Sequence, residues 1–256
     1  MISFDVRGAY NGVCKERLLQ RLQARGIPPL IVRWIDAFCS DRSASIRVNG
    51  YVSPTQSLPQ AGLPQGSPLS PILFLFFNAD LVQQKIDDNE GSIAFMDDYS
   101  AWVTGPSADA NYISIQRILD QALQWEKRSG ATFDTTKTAL VHFTRTPDRS
   151  SSAPILVKGV PIPPQSEVKI LGVIMDCELR YKTHISRTAT KGLNAALALK
   201  RLRMLSPASS RQLFNTTVAP VLDYASTIWM HALHDSGTRK GRGTGSSQAL
   251  AIASGL

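Results

Sequence analysis

The stretch Phe95-Met96-Asp97-Asp98-Tyr99 places two adjacent carboxylates between two apolar segments that contain β-branched and aromatic residues. Both flanks are typical of β-strands, so the pattern predicts a β-hairpin with the two acids at its tip. Adjacent carboxylates repel each other, and one reason to place them on a tight turn is a divalent cation, because Mg²⁺ prefers oxygen ligands. A solvated acidic turn is the other interpretation, since aspartate favours turns anyway. The pair alone leaves both interpretations open.

The composition is that of an ordinary globular protein. The chain has 256 residues, of which 43% are hydrophobic and 19% charged, which suits one large domain or two small ones. The longest apolar run in its first half, residues 72–77, is too short to span a bilayer. The N-terminus lacks the pattern of a secretory signal, and the three cysteines form no metal-binding motif. We therefore expect an intracellular protein with no membrane partner.

The positive charge is concentrated near the C-terminus. The net charge of the chain is +8, and residues 180–256 contain eleven basic and two acidic residues, a net of +9. The remainder of the chain sums to −1. A one-sided basic region is typical of proteins that bind a polyanion, most often nucleic acid. Solubility alone explains the same charge equally well at this point.

The order of the predicted elements indicates an α+β fold. A strand at residues 2–6 is followed by two helices, a Pro/Gly-rich loop at 58–71 that leads into a helix, the acidic hairpin, a helix at 108–128 and a strand at 139–143. This order is that of a split β-α-β-β-α-β sheet with helices on one face. Residues 168–175 are predicted to form one strand, and residues 183–205 and 208–234 to be rich in helix.

The split sheet brings distant carboxylates together. Its two central elements are the first strand and the hairpin, so Asp5 is expected beside Asp97. Three carboxylates at one edge, from Asp5, Asp97 and Asp98, could hold two Mg²⁺ ions about 3.5–4 Å apart, an arrangement that stabilises attacking and leaving oxygens in phosphoryl transfer. The loop at 58–71 feeds a helix N-terminus, which suits a phosphate or a base-paired substrate; an ordinary capped loop explains it as well.

Five short blocks occur in a fixed order along the chain. They are Phe4-Asp5-Val6-Arg7-Gly8-Ala9-Tyr10, Gly62-Leu63-Pro64-Gln65-Gly66-Ser67-Pro68-Leu69-Ser70-Pro71, Phe95-Met96-Asp97-Asp98, Gly130-Ala131-Thr132-Phe133 with Lys137-Thr138 and His142-Phe143, and Leu171-Gly172. Together they resemble the reverse transcriptases of non-LTR (LINE-type) retrotransposons, and look closest to those of fungal elements. The resemblance covers roughly residues 2–230.

The resemblance implies a metal site and a nucleotide site. Asp5, Asp97 and Asp98 would be the catalytic and metal-binding carboxylates, with two Mg²⁺ ions as cofactors that Mn²⁺ could replace. Nucleotide-binding roles would fall to the backbone at Gly8 and Ala9, to the steric gate Tyr10, to Gln65 and to Lys137. Tyr10 would exclude a 2′-hydroxyl and Lys137 would lie near the leaving pyrophosphate. Leu171 and Gly172 would form the primer grip.

The resemblance also implies a domain organisation. We expect a polymerase palm over residues 1–175, a helical thumb over 176–234 and a disordered tail over 235–256. The thumb would hold duplex phosphates without reading sequence. The family's fingers region and endonuclease precede the palm and have no counterpart here, so we expect a fragment truncated at both ends, with the fingers largely missing.

The function that follows is that of an RNA-directed DNA polymerase fragment. The partners would be an RNA template, a DNA primer and a deoxynucleoside triphosphate (dNTP), with transfer of a nucleotidyl group to the primer 3′-hydroxyl. A catalytically inactive remnant that still binds nucleic acid is the alternative. A cyclase or another two-metal nucleotidyltransferase on a similar palm is a third interpretation, which the Pro-Gln-Gly loop and the primer-grip block weaken.

Overall fold

The computed structural model describes residues 1–59, 61–82, 89–146 and 150–230. The chain divides into two compact units, Met1–His142 with Thr146–Pro164, and Phe143–Arg145 with Gln165–Leu256. The division lies near Pro164, whereas the sequence predicted a first domain over residues 1–175. The predicted tail at 235–256 lies outside the described residues.

The first unit combines a central sheet with helices and short hairpins. Its elements are β1 (Ile2–Asp5), α1 (Lys15–Ala24), α2 (Pro29–Cys39), β2 (Ser43–Ala44), β3 (Arg47–Val48), β4 (Tyr51–Val52), β5 (Gln56–Ser57), α3 (Leu69–Asn78) with a following 3₁₀ turn (Ala79–Leu81), β6 (Glu90–Phe95), β7 (Asp98–Val103), α4 (Ala108–Ser129), β8 (Ala139–Val141), β9 (Ile155–Val157) and β10 (Val160–Ile162). The α+β class predicted from the sequence is therefore confirmed.

The central sheet places β1 in its middle. The strand order is β11 (Pro164–Gln165), β8, β1, β7 and β6. Strand β1 pairs in antiparallel orientation with β7 on one side and β8 on the other, and β6 and β7 form an antiparallel hairpin. The prediction that the first strand lies beside the acidic hairpin is confirmed.

The two faces of β1 and β7 differ in polarity. Phe4 lies opposite Tyr99 in the register, both are buried, and their rings stack with centroids 5.9 Å apart. Because side chains alternate along a strand, Asp5 and its register partner Asp98 lie on the other face. Burial of the aromatic face against α3 and α4 residues such as Trp125 fixes which face the carboxylates occupy.

An ion pair anchors the segment that follows α4. The Glu126 carboxylate, which is buried, accepts hydrogen bonds from the Phe133 backbone N–H at 2.8 Å and from the Lys158 ammonium. Lys158 also donates to the Phe133 carbonyl at 3.1 Å. Both backbone groups of Phe133 are thereby held, and its ring packs 5.3 Å from that of Phe4. The hairpin of β9 and β10 is thus tied to the segment that runs beside β1.

The second unit consists of a hairpin followed by helices. Its elements are β12 (Glu167–Ile170), β13 (Val173–Asp176), α5 (Lys182–Lys200), α6 (Pro207–Leu213), a π-helical segment (Phe214–Val218), α7 (Ala219–Leu222) and α8 (Ser226–Trp229). The predicted helix-rich segment at 208–234 is helical over most of its described part, and the helices break between Leu222 and Ser226, where Ala225 has a φ of +52°. None of the helices in the described ranges has the length and apolar character needed to cross a membrane.

The prediction of a single strand at residues 168–175 is wrong, because the chain reverses at Leu171 and Gly172. Their φ angles are +45° and +88°, and a two-residue turn between antiparallel strands favours such positive values. Ile170 then pairs with Val173. The buried side chain of Val173 packs with Tyr181 and Trp229, which explains why this hairpin belongs to the second unit.

Candidate active site

The end of β1 and the β6–β7 hairpin bring the predicted carboxylates to one edge of the sheet. Asp5 and Asp98 are register partners, and cross-strand partners share a face of the sheet with Cβ atoms about 5 Å apart. The turn itself consists of Met96 and Asp97, since Phe95 pairs with Asp98. The prediction that both acids lie at the tip is therefore wrong for Asp98, which is the first residue of β7.

Two contacts hold this turn, one to the residue that follows β1 and one to the last residue of α3. The Val6 backbone N–H donates to the Asp97 carbonyl at 2.9 Å, and the buried Asn78 side chain donates through Nδ2 to the Met96 carbonyl at 3.0 Å. Met96 has a φ of +54°, which is strained for a residue other than glycine and persists only where the surroundings enforce it. The hydrogen bond from Asn78 to the Met96 carbonyl helps to hold Met96 in this conformation.

Sequence reasoning missed Asn78. The available signal was a single amide at the C-terminal end of an otherwise apolar helix, Leu69–Asn78. A buried polar side chain requires a hydrogen-bond partner, but the sequence does not say which backbone group supplies it.

Lys137 contacts the first of the carboxylates directly. Its Nζ lies 2.8 Å from Asp5 Oδ2, with the lysine side chain 61% and the aspartate side chain 18% exposed. The hydrogen bond to Asp5 raises the pKa of the Lys137 ammonium, and the charges of Asp134 and Asp97 act in the same direction. The ammonium therefore stays charged at neutral pH and offsets the repulsion between carboxylates on opposed strands.

A tight turn places Lys137 there. The Asp134 carboxylate accepts hydrogen bonds from the backbone N–H and the hydroxyl of Thr136, at 2.9 and 2.6 Å, and these bonds lower the pKa of Asp134. The Lys137 N–H donates to the Asp134 carbonyl at 3.2 Å, and the Asp134 N–H donates to the Asp5 carbonyl at 3.0 Å. The turn is thus fixed to the end of β1.

The donor chemistry of this edge fits a hard divalent cation. Asp5, Asp97 and Asp98 offer only carboxylate oxygens, which Mg²⁺ prefers to nitrogen or sulfur. Within the described ranges, however, no three His, Cys, Asp or Glu side chains are grouped closely enough to hold a metal ion. Asp5 is engaged instead by the Lys137 ammonium. The three-carboxylate metal site remains a prediction.

Tyr10 lies next to the acidic hairpin. Its hydroxyl donates to Met96 Sδ at 3.5 Å, and its ring centroid is 5.4 Å from that of Phe74. The chain reaches Tyr10 through a tight turn in which Gly8 has a φ of +69° and the Ala9 N–H donates to the Val6 carbonyl at 3.3 Å. The predicted gate residue and the predicted carboxylates therefore lie on neighbouring segments.

The Pro/Gly-rich loop docks on the backbone of the same segment. The Gly62 and Leu63 N–H groups donate to the carbonyls of Asn11 and Tyr10, at 3.2 and 2.7 Å. A Cβ at Gly62 would lie 2.3 Å from the Tyr10 carbonyl oxygen and 2.8 Å from that of Asn11. Only glycine permits this approach.

Gln65 lies on an exposed turn of this loop. The Ser67 N–H donates to the Pro64 carbonyl at 3.3 Å, and Gly66 has a φ of +89°, as the third position of a type II turn requires. The buried Ser70 hydroxyl also donates to the Pro64 carbonyl, at 2.6 Å. Gln65 is therefore presented to solvent on a fixed turn.

The two residues of the predicted primer grip, Leu171 and Gly172, belong to the second unit and are described within it.

Comparisons with known proteins identify relatives of this chain. A family model described as "Reverse transcriptase (RNA-dependent DNA polymerase)" matches residues 1–175. The RNA-directed DNA polymerase from mobile element jockey of Drosophila melanogaster is 26% identical over 235 residues, 88% of this chain and 25% of the relative. The probable RNA-directed DNA polymerase from transposon X-element of the same species is 25% identical over 236 residues, with the same coverage.

The relatives differ from this chain in length. The chain spans about a quarter of each of these two polymerases. Among solved structures, apo telomerase from Candida tropicalis superimposes with a TM-score of 0.51 at 12% identity, over 92% of this chain and 42% of that one. This likeness concerns the fold alone.

Substitution of Gly62 by alanine tests the docking of the Pro/Gly-rich loop. Gly62→Ala forces the loop away from the Tyr10 and Asn11 carbonyls, so we expect it to lower the free energy of unfolding by about 2–3 kcal/mol. Gly66→Ala is the matched control, because a Cβ there meets nothing within 4 Å and only the positive φ costs about 1 kcal/mol. Urea unfolding measures both. Equal losses would show that the close approach at Gly62 is not needed.

Proposed function

The chain belongs to the reverse transcriptase family, and we propose that it transfers a deoxynucleotidyl group from a dNTP to the 3′-hydroxyl of a DNA primer paired with an RNA template. The predicted relationship to non-LTR retrotransposon reverse transcriptases is confirmed by the jockey and X-element relatives. These two come from Drosophila, and the fungal affinity stays a prediction. The observation that supports the proposal most is the strand register, which pairs Asp5 with Asp98 next to the turn residue Asp97.

In the proposed reaction the primer 3′-oxygen attacks the α-phosphorus of the dNTP. A new phosphorus–oxygen bond forms, the bond between the α-phosphorus and the bridging oxygen breaks, and pyrophosphate leaves. Asp5, Asp97 and Asp98 would hold the divalent cations, Mg²⁺ or Mn²⁺. When bound, such ions supply charge stabilisation to the attacking and leaving oxygens.

Lys137 is suited to the leaving group. Its ammonium stays charged at neutral pH because of its contact with Asp5. The 61% exposure of its side chain leaves the ammonium accessible to a second anion. We assign to it the charge neutralisation, or the proton donation, that departing pyrophosphate needs.

The substrate-binding roles follow from the neighbouring segments. Tyr10 would lie beneath the deoxyribose and exclude a 2′-hydroxyl, with the backbone at Gly8 and Ala9 facing the triphosphate. Gln65, exposed on its fixed turn, would contact the incoming nucleotide or the template base. The docking of this loop on the Tyr10 backbone supports a shared nucleotide site.

The second unit would contact the primer–template duplex. Helix α5 exposes Lys182, Arg187 and Lys191, and such side chains bind phosphates without reading sequence. The first unit would then act as the palm and the helices as the thumb, with Leu171 and Gly172 holding the primer. Binding to the duplex should weaken steeply with salt, since phosphate contacts release counterions.

Primer extension on an RNA template with Mg²⁺ tests the proposed reaction. Asp97→Asn removes a metal-binding charge, and the loss of several kcal/mol of charge stabilisation corresponds to a rate decrease of about a hundredfold or more. Asp120→Asn, an exposed position on α4, is the matched control and should extend the primer normally. Circular dichroism establishes that both variants are folded.

Two outcomes would contradict this proposal. Extension by Asp97→Asn at the unmodified rate would remove Asp97 from the chemistry. No extension by the folded, unmodified chain, together with salt-sensitive duplex binding that ignores both Mg²⁺ and the substitution, would support the catalytically inactive remnant.

Competition between deoxyribonucleotides and ribonucleotides tests Tyr10. Tyr10→Ala removes the ring that would exclude a 2′-hydroxyl, so we expect the preference for dNTPs, measured as the ratio of kcat/KM values, to fall about tenfold or more. Tyr10→Phe keeps the ring and loses only the hydroxyl contact to Met96, and should retain the preference. Unchanged discrimination in Tyr10→Ala would exclude Tyr10 as the gate.

A further inference from the structure

The turn at Leu171 and Gly172 contains a leucine in a conformation that leucine itself does not favour. Leu171 has a φ of +45°, a left-handed conformation in which the Cβ of an L-residue is crowded. Its side chain is 43% exposed, so burial of the leucine does not account for the conformation. The hairpin geometry favours positive φ values, and a contact from outside the hairpin offsets part of the remaining cost at the leucine.

Tyr224 contacts both residues of this turn. Its hydroxyl donates to the Leu171 carbonyl at 2.7 Å. Its ring lies over Gly172, where a Cβ would be 3.1 Å from Tyr224 Cε1 and 3.5 Å from Cζ. The hydrogen bond fixes the carbonyl that the left-handed leucine presents, and the ring occupies the side that only a glycine leaves open.

The position of Tyr224 is fixed in turn by the core of the second unit. The Trp229 indole Nε1 donates to the Tyr224 carbonyl at 2.9 Å. Trp229 is buried, packs against Val173 and Tyr181, and lies edge-on to the His184 ring at a centroid distance of 5.6 Å. Val173 directly follows the turn in β13. The hairpin is therefore connected twice to the segment that contains Tyr224 and Trp229. Tyr224 contacts the turn itself, and Trp229 packs against Val173, the first residue after the turn.

From these contacts we infer that Tyr224 is a positioning residue, which holds the Leu171–Gly172 turn in the conformation that grips the recessed 3′-end of a primer. This inference rests on the proposed function, in which that turn contacts the primer. Tyr224 itself is 52% exposed, and its role is exerted through the turn. The turn then presents the exposed Leu171 side chain at a fixed place on the hairpin.

Tyr224→Phe and Tyr224→Ala separate the two contacts. The phenylalanine keeps the ring over Gly172 and loses the hydrogen bond to Leu171, and the alanine loses both. Tyr112→Phe, which removes the hydroxyl of a tyrosine of similar exposure on α4, is the matched control. Urea unfolding of each variant identifies any general loss of structure.

Two measurements that do not require catalysis report on the turn. Hydrogen exchange followed by mass spectrometry reports the protection of the peptide that contains residues 171–173. Fluorescence anisotropy without divalent cations compares the affinity for an RNA–DNA duplex with a recessed DNA 3′-end with that for a blunt duplex of the same length. A purely structural contribution of Tyr224 would weaken both affinities alike, whereas a positioning role lowers the preference for the recessed end.

We expect Tyr224→Phe to lower the preference for the recessed end about fivefold, as the loss of one hydrogen bond predicts, and Tyr224→Ala to lower it at least tenfold. Both variants should exchange faster at the turn, and Tyr112→Phe should match the unmodified chain. Unchanged end preference in Tyr224→Ala, with or without faster exchange, would overturn the inference. So would the absence of any end preference in the unmodified chain.

The proposed polymerase reaction can fail separately. A chain that prefers the recessed end in a Tyr224-dependent manner but never extends the primer would contradict the proposed catalysis and support the positioning role. Normal primer extension, together with no effect of Tyr224→Ala on the end preference, would contradict the positioning role and support the proposed catalysis.

Discussion

The antiparallel pairing of β1 with β7 is the constraint on which the candidate site depends. Its register places Phe4 opposite Tyr99 on the core face and Asp5 opposite Asp98 on the other face. A slip by one residue would exchange the two faces, and would bury carboxylates in place of aromatic rings. The same pairing that buries the rings therefore places two like charges opposite each other, and the Lys137 ammonium offsets their repulsion.

The surroundings of the site are arranged to hold that edge in place. Asn78 holds the Met96 turn, Gly62 lets the Pro/Gly-rich loop approach the backbone beside Tyr10, and the pair of Glu126 and Lys158 fixes the segment that supports Asp5. Apart from the hydrogen bond between the Phe133 N–H and Glu126, these contacts join residues that are distant in sequence. They act through backbone carbonyls and N–H groups, so the geometry of the site is set mainly by main-chain positions.

The sequence allowed part of this arrangement to be predicted, for identifiable reasons. Helix α1 is one of the two helices predicted after the first strand, because leucines recur at helical spacing before Gly26. Strand β1 was expected beside the hairpin from element order alone. The reversal at Leu171 was missed because the apolar residues on both sides look like one strand, although Gly172 was a signal for a turn. The partners of Asn78 and Glu126 are tertiary contacts, which local pattern does not encode. The position of Asp98 in β7 was also missed, because it depends on a two-residue turn that begins at Met96, a residue with an unfavourable positive φ.

The central proposal is that the carboxylates at this edge of the sheet bind a divalent cation, for which the Lys137 ammonium, now in contact with Asp5, competes. Its most direct test is the binding of Mn²⁺, followed by the paramagnetic resonance of the free ion, to the unmodified chain and to Asp5→Asn, Lys137→Met and Asp120→Asn. The account predicts that Asp5→Asn binds at least tenfold more weakly, that Lys137→Met binds more tightly because a competing cation is removed, and that Asp120→Asn matches the unmodified chain. Equal binding by all four proteins, or none by any of them at millimolar Mn²⁺, would contradict it.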